Sequence, residues 1–77
     1  MTSFRKSDTG ATWYSDVRGV WVHEPAAGHV LVAGKDEFGY WAASCFVRAT
    51  GDQIGPLGMS SSLALAMAQA ERNWKTA

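Results

Sequence analysis

The chain has 77 residues, enough for one domain with a small core. Seven basic and seven acidic residues cancel, which removes the cationic excess that phosphate-backbone binding relies on. The lone cysteine, Cys45, excludes an internal disulfide, and no apolar run approaches the ~18 residues of a membrane-spanning helix.

Met1 to Gly10 is polar and reads as a flexible leader, followed by a single β-β-β-α domain over residues 11–77. Arg5 and Lys6 precede no apolar stretch, so the segment does not read as a secretory signal, and the expected location is the cytoplasm of the producing or host cell. Ala11 to Tyr14 can form a short strand. In Val17 to Glu24, Val20 and Val22 point one way and Trp21 and His23 the other. Pro25 to Gly28 reads as a four-residue hairpin loop before a strand over His29 to Gly34, where Val30 and Val32 alternate with Leu31 and Ala33.

Lys35 to Gly39 carries turn chemistry, and a long strand over Tyr40 to Ala49 follows. That strand carries large apolar groups on both sides. One side shows Trp41, Ala43, Cys45, Val47 and Ala49; the other shows Tyr40, Ala42, Ser44, Phe46 and Arg48. Thr50 to Gln53 turns the chain. Ile54 to Leu57 adds a short strand that Pro56 confines to a sheet edge, since proline has no N–H to donate to a ladder. The spacing of Leu63, Met67, Ala70 and Trp74, with Ala66, predicts a helix over Ser60 to Lys75, N-capped by Ser60 or Ser61. Arg72 and Lys75 suit its C-terminal dipole.

These elements predict an α+β domain: an antiparallel sheet of three to four strands with one C-terminal helix packed on one face. One helix covers one face, and neither side of the Tyr40 to Ala49 strand is polar. Three readings follow for the second face. The leader folds over it, a second copy of the chain packs on it, or another protein does.

Other chemistry is thin. His23, Glu24 and His29 flank a hairpin loop but supply too few ligands for zinc, and a surface histidine–carboxylate pair is the simpler reading. Cys45 has no electropositive neighbour in sequence and reads as a small core hydrophobe. Asp36 and Glu37 are adjacent turn carboxylates, and Gly51, Gly55 and Gly58 lack the Lys-Ser/Thr pair of a phosphate loop. No cofactor is implied.

The β-β-β-α order ending in Ser-Ser-Ser-Leu-Ala-Leu-Ala-Met-Ala-Gln-Ala-Glu-Arg resembles the C-terminal part of a double-stranded RNA-binding domain. Ser60, Ser61, Ser62 and Leu63 stand where that family carries lysines, so the likeness implies topology and no RNA contact. The short, neutral, motif-free form of Trp13 to Trp74 also resembles small accessory proteins of bacteriophages and mobile elements, anti-CRISPR inhibitors among them. That resemblance implies a non-enzymatic protein that covers a functional surface of a host protein. The expected contact residues are Trp21, Tyr40, Phe46, Arg48, Leu65 and Arg72, through a protein partner or a homodimer. The alternative is nucleic-acid binding through Arg18, Lys35, Arg48 and sheet aromatics.

Overall fold

The computed structural model describes residues 2–74, with backbone alone at residues 55–57. Six strands follow one another as β1 (Ser3–Lys6), β2 (Thr12–Ser15), β3 (Val20–Ala26), β4 (His29–Lys35), β5 (Trp41–Val47) and β6 (Gln53–Ser60), and the helix α1 (Leu63–Asn73) comes last. Each strand pairs antiparallel with the next, so the sheet order is the chain order.

The α+β class and the C-terminal helix are as expected, but the sheet has six strands rather than three or four. The polar start is not a loose leader. Ser3 to Lys6 pairs with Thr12 to Ser15 in full register, Phe4 opposite Tyr14 and Arg5 opposite Trp13. Backbone pairing holds this strand where its own composition would not. The turn between them returns sharply because Ser7 N–H donates to Ala11 O (2.9 Å) and Gly10 N–H to Ser7 O (3.0 Å). The Asp36–Tyr40 turn repeats that arrangement, with Asp36 N–H to Tyr40 O (2.8 Å) and Gly39 N–H to Asp36 O (3.2 Å). Gly10 and Gly39 both stand at φ +89°, a left-handed conformation that glycine adopts without the Cβ clash of other residues.

The loop between β3 and β4 is shorter than expected, Ala27 and Gly28 alone, and Pro25 lies within β3. Proline is tolerated there because the β3–β4 register shifts between His23 and Ala26, and β2 pairs with β3 only at Tyr14 and Val22. Pro56 lies on an edge strand as its chemistry requires, beside a register shift in β6 opposite Ala43 and Cys45.

Register divides the sheet into two faces, because paired residues share a side. Trp21, Ala33, Ala43 and Gly58 form one row across β3 to β6, and His23, Leu31, Cys45 and Ile54 the next. Helix α1 lies on these rows, over β4, β5 and β6, and buries Leu63, Ala66, Met67 and Ala70 against Leu31, Ala33, Ala43 and Cys45. Trp13, fully buried, completes the core from β2. The inward stripe is the expected one, but the helix starts later. Ser62 is its N-cap without a side-chain cap hydrogen bond, while Ser60 ends β6 and its hydroxyl accepts from the Ser62 N–H (3.2 Å). Lys75 lies outside the described residues.

The small residues decide how closely the layers meet. A Cβ at Gly58 would stand 2.8 Å from the Ala66 carbonyl oxygen and 3.0 Å from the Ala70 nitrogen, both backbone atoms that cannot swing aside. Gly58→Ala is therefore expected to destabilise the fold by about 1–3 kcal/mol in urea unfolding. Gly34→Ala, whose Cβ meets open space in β4, is the matched control and is expected to change stability by less than about 0.5 kcal/mol.

Candidate functional site

The opposite face carries the other half of every register pair. Phe4, Tyr14, Val22, Val32 and Ser44 form a continuous row across β1 to β5. Val30 and Phe46 lie on one side of it, and Val20, Gly34, Ala42 and Met59 on the other. No described segment lies over this face. Its valines and Phe46 are half-buried by their strand neighbours, while Phe4, at 68% exposure, and Met59 stand out in solvent. An antiparallel sheet with a solvated face normally makes that face polar. Here the ionic side chains at its margin are Lys6 at the β1 corner and the pair Glu24 and Arg48, whose carboxylate and guanidinium are joined in an ion pair.

The helix side deals with its uncovered aromatics differently. The Arg5 guanidinium lies 6.0 Å from the Trp21 ring centroid, and the Lys35 ammonium 5.9 Å from that of Trp41. Cationic side chains cap indoles where the helix does not reach, an arrangement that keeps the polar end in water over an apolar ring.

The expected contact residues divide between the two sides. Phe46 lies on the open face, Tyr40 is exposed at its border in the turn before β5, and Arg48 edges it through its ion pair with Glu24. Trp21 does not belong there. It pairs with Ala33, so it points to the helix side and packs against the core. Leu65 is exposed on the outer side of α1, and Arg72 is exposed near its C-terminus beside His23, Pro25 and Trp74 in a cleft of about 610 Å³. The open row itself was not anticipated: Phe4 lay in the supposed leader, and the Tyr14–Val22–Val32 alignment depends on register.

The cations of the nucleic-acid reading are not brought together. Arg18 and Lys35 belong to one end of the strands, and Arg48 follows β5 at the other, tied to Glu24. The histidines are separated as well: His23 Nδ1 lies 2.9 Å from Thr12 O, and the His29 ring is 5.6 Å from that of Trp74. Glu24 engages Arg48 rather than either of them. Among the described residues, no three His, Cys, Asp or Glu side chains are grouped to hold a metal ion, and no helix is long and apolar enough to cross a membrane.

A charged side chain sits deep in the structure. Glu71, only 7% exposed, interrupts the apolar side of α1 four residues after Met67. Its carboxylate accepts from Ser7 Oγ (3.0 Å), Thr9 Oγ1 (2.8 Å) and Trp13 Nε1 (3.3 Å). A buried carboxylate is tolerated only when its lone pairs are met, and these three donors meet them. The result ties the β1–β2 turn and β2 to the end of the helix. Its sequence signal was available, since a glutamate on the buried side of a helix demands internal donors. Cys45 is buried at 3% exposure, and burial pushes its thiol above the usual range, opposed in part by a backbone hydrogen bond at Val30.

No family model, curated protein or solved structure matches the chain.

Replacing Glu71 with Ala orphans three donors and is expected to lower stability by roughly 2–4 kcal/mol, read from the shift in urea midpoint. For Cys45, a thiol-specific chromogenic reagent at neutral pH should label native protein far more slowly than protein in denaturant. Because the folded thiol is held protonated, its contribution to stability is full below its ordinary titration range and is lost as pH rises through the higher folded value. The fall in urea midpoint above about pH 9 should therefore be shallower in Cys45→Ala than in wild type.

Proposed function

We propose that this protein is a non-enzymatic binding module that acts by presenting its open sheet face to another protein surface. The observation that carries the reading is the apolar row from Phe4 to Val32, which crosses four strands with no helix above it and no charge within it. The chain's own first residues widen this face, as β1, instead of sealing it. Broad apolar surface rimmed by polar residues is the physical signature of a protein-docking site. The core of such a surface typically contains aromatics and lacks charge, which matches Phe4, Tyr14 and Phe46. The resemblance to phage accessory proteins makes an inhibitor that masks a host protein's functional surface one form of this activity, exercised in the cytoplasm of the producing or host cell.

The test places a charge at the centre of the face. Val32→Lys is expected to keep the wild-type circular dichroism and to abolish association, measured both as the protein's own molar mass and as proteins retained on the tagged chain in its source cell. Leu65→Ala, on the far side of the helix, is the control that leaves open-face association intact. Association that survives Val32→Lys in both measurements overturns the reading.

A further inference from the structure

We infer that the occupant of the open face is a second copy of the same chain, packed sheet to sheet about a two-fold axis, an inference that rests on the docking reading above. Four features of the molecule select this occupant. The first is charge. Glu24 and Arg48 neutralise each other at the margin, the valines, Ala42 and Phe46 carry none, and Lys6 stands at the β1 corner outside the apolar row, so the row itself has no field to choose a charged partner and none to repel its own kind. The whole chain is also neutral, which removes long-range repulsion between copies.

The second is area. Four strands of seven or eight residues rise about 23 Å and the four-residue β1 and β2 about 13 Å, so six strands ~4.8 Å apart, spanning about 24 Å, offer a face of roughly 500 Å². The molecule's extents of 26 × 26 × 23 Å agree with that span. Two such faces together bury about 1,000 Å², the lower bound for a specific interface. The third is shape. Two sheets of identical sequence carry the same twist, and aligned packing at about −30° lets rows of valine interdigitate. A two-fold arrangement then closes on itself without leaving a further open face.

The fourth is the state of the sheet edges, the competing route to self-association. Edge β6 contains Pro56 and a register shift, and edge β1 is four residues long with Arg5 and Lys6 on it. Both devices discourage strand addition. Face-to-face pairing is what remains. In that dimer both helices point outward, so Leu65 and Arg72 stay exposed on each copy and remain free to meet another molecule.

Light scattering and sedimentation of the pure chain across a hundredfold range of concentration test the inference. The expected wild-type mass at high concentration is twice the 8.3 kDa of the chain, falling towards 8.3 kDa on dilution because the area is near the lower bound. Val32→Lys is expected to give the single-chain mass throughout, with unchanged circular dichroism. Should Val32→Lys fail to fold, Phe46→Gln at the rim of the face is expected to shift the dimer dissociation constant at least tenfold. A wild-type chain of 8.3 kDa at every concentration overturns the inference, as does a dimer indifferent to both substitutions. A monomer that still loses a co-purifying protein on Val32→Lys overturns the second copy alone and leaves the docking reading standing.

Discussion

The helix meets the sheet at Gly58, where its backbone comes so near that a single methyl group would collide with Ala66 and Ala70. The alanines of α1, with Ala33 and Ala43 below, make the same close approach possible along the contact. Close packing of small residues gives firm contact but little width. The helix therefore protects β4 to β6, and Trp13 must supply the bulk beneath its far end. With the only helix among the described residues spent on one side, every side chain pointing the other way is left to its strand neighbours.

Two solutions to exposed apolar area coexist in one molecule. On the helix side, Arg5 and Lys35 lie over the indoles at the margins, and Glu71 gathers Ser7, Thr9 and Trp13 into a closed polar node. On the other side, among the described residues, Phe4, Tyr14, Val22 and Val32 follow one another with no segment laid across them. The two sides therefore differ in how their apolar residues are shielded: by a helix, cations and a buried carboxylate on one, by strand neighbours alone on the other.

The helix and the central strands were readable from periodicity. Leu63, Met67 and Ala70 recur at helical spacing and are buried together, and Val30 to Ala33 alternates as β4 does. Pro56 announced its edge position through its missing N–H. The first strand was not readable, because Ser3, Phe4, Arg5 and Lys6 contain one apolar residue, and their conformation comes from hydrogen bonds to β2 rather than from their own preference. Trp21 was expected at a contact surface because one helix could not cover every large apolar group, whereas its side of the sheet is set by its pairing with Ala33. Register is a property of two strands and the turn between them, so a single strand's composition does not contain it. Tyr40, Phe46 and Arg48 share one side of a strand whose two-sided character was plain, but which side the helix covers is decided by register and not by that strand alone.

The order of elements has a consequence for how the molecule comes into being. All six strands leave the ribosome ahead of α1, so the growing sheet spends its early life with neither side protected. Each new hairpin can form on its neighbour as it emerges, yet the Glu71 carboxylate that secures the first turn is made only after all six strands have been synthesised. Nascent chains thus pass through a sticky interval that ends when α1 swings back onto β4 to β6.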